Sequence, residues 1–203
     1  MKVGSATLGG LMLTAGMLLC ASASAATITF SGLAGANGDP LTTPYTEAGF
    51  TVNTTAGEFF QAQLFGNPIP SLFATLATTD TLDVTGGSFM FSSFMFSSFD
   101  LAANNGDVDF TFTGSLSGVQ KYSVSGVEPG RFGPFGFDTI SNPDAGITID
   151  DLKITLHILG SSGNIDNIVL TPLPAALPLF ATGLAGLGLL GWRRKKKAAA
   201  LAA

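Results

Sequence analysis

Apolar and polar residues alternate in short runs through the middle of the chain. Thr27-Ile28-Thr29-Phe30 alternates, and so does Val108-Asp109-Phe110-Thr111-Phe112-Thr113, which puts Val108, Phe110 and Phe112 on one face. A period of two is the signature of a half-buried strand. Phe50 and Val52 make another such pair. Ile147 and Ile149 alternate in one parity, then Leu152, Ile154, Leu156 and Ile158 in the other. A one-residue shift exchanges the faces of a strand, so Asp150-Asp151 is predicted to hold a bulge or turn. Ile165 to Leu170 reads as a closing strand. Gly86-Gly87, Asn104-Asn105-Gly106 and Gly160 to Asn164 are the punctuation between runs. No stretch of this region keeps a helical period over three turns. The pattern predicts an all-β fold for residues 26–171, an antiparallel β-sandwich or jelly roll.

One repeat disturbs the alternation. Phe89-Met90-Phe91-Ser92-Ser93 is followed at once by Phe94-Met95-Phe96-Ser97-Ser98. Five is odd, so a second copy swaps the inner and outer faces unless the sheet absorbs it as a bulge, a longer hairpin or an extended edge. The neutral reading is a duplication inside a strand. The functional reading is an exposed, self-associating edge, since the window is aromatic, uncharged and free of proline.

The two ends follow other rules. Lys2, the apolar run from Leu11 to Leu19 and the small-residue pattern Ala23-Ser24-Ala25 read as a secretory signal peptide over residues 1–25, with Ala23 and Ala25 as the small residues of the cleavage pattern and the cut after Ala25. Cleavage there removes Cys20, the only cysteine, and leaves no thiol for disulfide or thiolate chemistry. At the other end, 175–192 carries no charge and ends in Trp192. As a helix it reaches about 27 Å, enough for the hydrocarbon core of a bilayer. Arg193, Arg194, Lys195, Lys196 and Lys197 follow, and the positive-inside rule keeps them cytoplasmic and the body outside.

Pro172-Leu173-Pro174-Ala175-Ala176-Leu177-Pro178, the Gly/Leu-rich helix and the cationic cluster together resemble the PEP-CTERM sorting signal of Gram-negative bacteria. Leu173 stands where the usual motif has glutamate, and Pro-Leu-Pro-Ala-Ala is a recurring variant. The resemblance covers residues 172–203. It implies handling by exosortase, a membrane transpeptidase or protease, and by the secretion machinery. It also implies an inner-membrane-anchored intermediate and a final place at the cell surface or outside, in an organism that makes exopolysaccharide. The body resembles the carbohydrate-binding-module-like jelly rolls that often carry this signal. The shared marks are Pro44 to Phe50, Gly86 to Phe89, Ser98 to Leu101 and Ile165 to Ile168.

Charge narrows the partners. All 14 carboxylates lie in the body, against Lys121, Arg131 and Lys153 alone, a net charge of −11 that the whole-chain value of −5 conceals. Such a body repels phosphate backbones, so nucleic acid is excluded as a partner. His157, the only histidine, sits between Leu156 and Ile158 and projects away from the apolar set, a surface strand position. No G-x-S-x-G elbow accompanies it, and zinc ordinarily draws on several His or Cys ligands. Gly130 to Gly136 lacks the Lys-Ser/Thr ending of a phosphate loop. No catalytic residue is assigned. A structural calcium is the one cofactor left open, because calcium prefers several oxygen donors. Asp107 and Asp109 lie on one turn, and Asp39 and Asp166 would suit a site between the first and last strands. Ordinary turn capping explains the same residues.

These readings point to an exported, non-catalytic surface or matrix protein with exopolysaccharide as a partner, acting by weak glycan contact or self-association. Two alternatives remain: a secreted carbohydrate-active enzyme, which needs two close carboxylates in a cleft, and a single-pass membrane protein that keeps its tail.

Overall fold

The computed structural model describes residues 24–64, 66, 69–75, 79–100, 106–132, 136–159 and 162–173. They form twelve strands: β1 (Ala26–Ile28), β2 (Tyr45–Glu47), β3 (Phe50–Ala56), β4 (Phe60–Ala62), β5 (Ser71–Thr75), β6 (Thr79–Asp100), β7 (Val108–Leu116), β8 (Val119–Glu128), β9 (Gly130–Phe132), β10 (Asp138–Ser141), β11 (Thr148–Ile158) and β12 (Ser162–Pro172). Among the described residues none forms a helix long and apolar enough to cross a membrane. The predicted signal peptide up to Ala23, and the predicted span with its basic tail, lie outside the described residues.

The fold is all-β, and every pairing is antiparallel except that of β6 with β9. Its organising element is β6, 22 residues long. The first half of β6 lies between β3 and β11, and that ladder continues through β7 to β8. The second half lies between β10 and β12. Beyond β12 come β5, which carries β4, and β1. One strand therefore belongs to two ladders. Gly86-Gly87, expected to separate strands, instead lies inside β6 where it passes from one ladder to the other. Long strands change layers at a bend or bulge. At Gly86 the bend needs the missing side chain, since a β-carbon there would meet the Phe50 ring at 2.8 Å. Gly163 and Asn164 are likewise inside β12 rather than in a turn.

The ladders face each other across a phenylalanine core. Phe91 meets Phe112 edge-on at 5.2 Å between ring centres, and Phe94 and Phe96 meet Phe110 at 5.9 and 5.8 Å in the same geometry. Edge-to-face pairs add roughly 0.5–1.5 kcal/mol beyond area burial. The phase change in β11 is present as predicted: the register with β6 shifts between Ile149 and Asp151, and Ile149, Leu152, Ile154, Leu156 and Ile158 are all fully buried.

The duplicated pentapeptide lies within the second half of β6, paired on both sides, which overturns the reading of it as an exposed edge. Phe89, Phe91, Phe94 and Phe96 are all fully buried although their spacing changes parity. A bulge reconciles the two facts. Phe91 pairs with Leu170 and Ser93 with Val169, so two steps on β6 meet one on β12. The register recovers where Met95 pairs with Asp166, opposite an extra residue of β12 near Asn167, whose φ is 46°. Asn142, buried beside β10, serves the carbonyls left by the bulge. Its side-chain amide donates to Phe91 O at 2.9 Å and its backbone N–H to Ser92 O at 2.8 Å. The Ser-Ser pair is thus the phase corrector that lets both copies aim their phenylalanines inward.

Deleting Ser93 alone should therefore be milder than losing a core ring. Phe94→Ala is expected to cost about 3–5 kcal/mol in urea denaturation. The Ser93 deletion spaces Phe89, Phe91, Phe94 and Phe96 two residues apart, so a plain strand keeps all four rings inward without the bulge and the variant should still unfold cooperatively in urea; a deletion that abolishes soluble folded protein would refute the bulge account.

Candidate functional site

A concavity of the described surface lies beside the loop that joins β1 to β2. The loop is held from below by Glu47. Its carboxylate accepts the Thr29 hydroxyl at 2.7 Å, the Thr29 and Phe30 backbone N–H groups at 3.2 and 2.8 Å, and the Tyr45 hydroxyl at 2.8 Å. Phe30 takes φ 56° there with its ring fully buried, a left-handed geometry that a large residue adopts only when its surroundings enforce it. Burial alone would raise the Glu47 pKa; the hydrogen bonds from Thr29, Tyr45 and Phe30 override it and hold the group below the usual carboxylate range. Tyr45 is pushed up to about 12, first by burial and then by its bond to Glu47. It is a neutral phenol whose proton is committed. The Gly32 N–H donates to the same oxygen at 3.2 Å, so the ring is fixed from two sides.

The far wall comes from β4. The Gln61 side-chain oxygen accepts the Gly35 N–H at 2.9 Å, and a β-carbon on Gly35 would sit 2.6 Å from the Gln61 amide nitrogen, so a side chain there would displace the Gln61 amide. Asp39 accepts the Ala36 N–H at 2.6 Å, and its own carbonyl accepts the Gln61 N–H at 2.8 Å. Between these walls is a cavity of about 580 Å³ lined by residues that include Leu33, Asp39, Thr42, Tyr45 and Gln61. That volume is in the range of small-molecule sites. It offers one aromatic wall, one carboxylate, an amide and a hydroxyl around a braced loop. Asp39 is the single carboxylate of this lining, so the groove as described holds no pair for acid–base chemistry.

A second polar assembly lies on the outer face of the first ladder. Asp83 of β6 and Asp151 of β11 are close neighbours, and each has a buried Oδ1 that no donor reaches. Two bare carboxylates cannot hydrogen-bond, so the contact between them needs a proton. Burial, then the hydrogen bond and charge of Asp151, push Asp83 up to about 6, while Lys153, directly opposite, pulls the other way.

The sequence-predicted site residues are scattered. Ala25 is exposed just before β1. Pro172 ends β12 opposite Phe89, and the Leu173 N–H donates to Ser88 O at 2.8 Å, so the start of the proline motif is part of the sheet. Ala23, Pro174, Arg193, Arg194, Lys195, Lys196 and Lys197 lie outside the described residues. Asp107 accepts the Gly130 N–H at 2.9 Å, a capping role. Asp109 is exposed on β7, in register with His157, which is exposed as expected. Asp166 is fully buried in β12, its Oδ1 taking the Asn167 N–H at 2.8 Å. Asp39 stands next to β4, with β5 between it and β12, about three ladder spacings or roughly 14 Å from Asp166. Among the described residues no three His, Cys, Asp or Glu side chains are grouped to hold a metal. The groove residues Tyr45, Glu47 and Gln61 were not singled out as site residues from sequence. A period-two pair, Tyr45 and Glu47, was the available signal; nothing local marks Gln61.

No family model matches the chain, and no curated protein matches it. Solved structures with some likeness include TmCBM61 in complex with β-1,4-galactotriose, at 12% identity and TM-score 0.40 over 62% of this chain and 90% of that one. Another is the enzymatically active domain of tailspike protein 4 of bacteriophage CBA120, at 12% and 0.36 over 62% of this chain and 20% of that one. A third is arabinose-bound MgGH51 α-L-arabinofuranosidase, at 14% and 0.39 over 67% and 25%.

Two outcomes test these electrostatics. The folded-state pKa of Asp83 lies above its unfolded value, so its penalty is absent at low pH and grows as pH rises from about 4 to about 6. Asp83→Asn should match the parent in Tm at pH 4 and exceed it at pH 7.5; an equal gap at both values would exclude the shared proton. Glu47 has the opposite sign: its contribution is present above the unfolded pKa and is lost as pH falls through the lowered folded value. Glu47→Ala should cost roughly 2–3 kcal/mol at neutral pH, by loss of charge-assisted hydrogen bonds, with the difference from the parent shrinking in acid denaturation scans.

Proposed function

We propose that this chain is an exported, exosortase-sorted surface or matrix protein of a Gram-negative bacterium. Its body is a non-catalytic jelly-roll sandwich that makes weak contacts with neutral exopolysaccharide through the groove at Tyr45. The groove carries the reading. A sugar presents an apolar face and a ring of hydroxyls, and recognition needs a flat apolar wall with fixed polar groups around it. Tyr45 supplies the wall, pinned by Glu47 and Gly32, and Asp39, Thr42 and Gln61 supply the polar groups. Because the loop is braced before any ligand arrives, little ordering entropy is left to spend on binding.

The charge of the body selects among sugars. At −11 it repels uronate-rich or sulfated chains, so neutral or amino sugars are the fitting class. One aromatic wall instead of several limits affinity, which suits a protein that lies among many copies of its ligand and gains by avidity. The signal peptide, the proline-led segment and the cationic stop supply the delivery route. Calcium is not needed for this reading.

Affinity electrophoresis through gels holding neutral or acidic polysaccharides checks the groove. Retardation is expected in one or more neutral gels and in none of the acidic ones. Tyr45→Ala should remove it while urea denaturation shows the variant still folded, and retardation that survives Tyr45→Ala would rule the groove out. Intact mass of protein from the culture supernatant checks the route: the mature species should lack the segment from 175 onward, and a full-length tail in every fraction would refute sorting.

A further inference from the structure

The edges of the sheet are not alike. Exposed edge strands invite pairing with another chain, and shortness is one protection. β2 and β4 have three residues each and β10 has four. β8 has ten, and among the described residues only β7 pairs with it. Its solvent-facing residues include Val119 and Val127, which are 59% and 54% exposed. Ser123 and Ser125 between them are small and exposed.

We propose that β8 is a homotypic docking edge, on which a second copy of this chain adds its own β8 in antiparallel register to extend the first ladder across the two molecules. This rests on the edge alone and is independent of the glycan reading. An isologous pair must be self-complementary about its two-fold axis. An axis through Val124 sets Ser123 against Ser125 of the second copy and Tyr122 against Gly126, a large residue facing the one without a side chain. Lys121, the bulged residue of β8, falls beside Val127 of the second copy at the end of that register. The neighbour of Val127 on β7 is Asp109, exposed on the same face. A lysine stem long enough to cover Val127 carries its ammonium toward Asp109, and the symmetry makes that contact twice. Lys121 is one of three cations on a body of net −11, and it lies on this edge. The charge pattern therefore favours self-pairing at β8 where the rest of the surface repels. Pro129 follows the strand and offers no N–H, which stops the ladder from sliding further in that direction. A single strand pair is a small interface, so a weak, concentration-dependent dimer is expected rather than an obligate one.

The test uses the full-length protein with Cys20→Ser, so that introduced thiols are the only ones. Ser123→Cys and Ser125→Cys proteins are oxidised gently, each alone and as an equal mixture. The register places 123 opposite 125 within disulfide reach, whereas 123 opposite 123 is a diagonal pair beyond it. The mixture should crosslink about tenfold faster than either protein alone, since only directly opposed residues meet the geometry. Sedimentation velocity should show a monomer–dimer equilibrium that Val127→Lys weakens by about tenfold or more, as edge lysines do, without loss of the cooperative urea transition. Monomer at every concentration would overturn the proposal. So would equal crosslinking in all three samples, or slow exchange in the monomer of the β8 amides that point away from β7, which would mean that the chain's own remaining segments cover the edge.

Discussion

The molecule depends on one strand being shared. β6 pairs with β3 and β11 in its first half and with β10 and β12 in its second, so its bend fixes how the two ladders face each other. Everything apolar follows from that. Leu82 and Val84 serve one layer, and Phe91, Phe94 and Phe96 fill the space between the layers against Phe110 and Phe112. The price of so long a strand is register. A 22-residue strand cannot hold one phase around a corner, and it is released at the glycine pair and again at Ser92-Ser93. Each release strands backbone groups that must find partners, and Asn142 is placed to receive the second set.

The groove repeats this logic on a smaller scale. Glu47 belongs to a three-residue strand next to a two-residue turn in which Ala48 and Gly49 have φ 53° and 85°. So short a strand has little ladder to hold it, and the carboxylate compensates by tying β2 to the end of β1 through Thr29 and Phe30. The bond that stabilises the loop also orients Tyr45. Site and fold therefore share one charge, and changing that charge alters both.

Strands whose faces differ sharply were legible in the amino-acid pattern. β1, β3, β7 and β11 contain the alternating runs, β12 contains the closing run from Ile165 to Leu170, and the phase change at Asp150-Asp151 is a register shift in the sheet. β8 was not visible because its inward positions are Tyr122, Val124, Gly126 and Glu128, one of them without a side chain and one charged, while Val127 faces solvent. The role of Gly86-Gly87 was misread for a related reason. A glycine pair weakens a strand locally, and only the pairing on either side shows whether the chain turns back or passes to another layer. The parity argument for the pentapeptide was sound, since it named a bulge among its outcomes; the outward-edge reading failed because sequence does not show which strands flank β6. The groove was least legible. Tyr45 and Glu47 are neighbours in the chain, but Gln61 reaches the site only through the pairing of β4, and no local pattern encodes that.

The last strand also constrains how the chain can be trimmed. β1 and β12 pair antiparallel, Ala26 opposite Leu170, so the chain enters and leaves the sheet side by side at one end. The described residues before Ala26, Ser24 and Ala25, add no pair to this ladder, and the last described bond is that of Leu173 to Ser88. A cut on the carboxyl side of Leu173 therefore leaves every described pair intact. A cut between Thr171 and Leu173 acts differently. It frees the β6 backbone at Ser88 and Phe89, beside the glycine bend and at the first ring of the phenylalanine core. Pro172 and Leu173 thus carry the last contacts of β12 with β6, so the start of the proline-led segment is in part a structural element of the sheet.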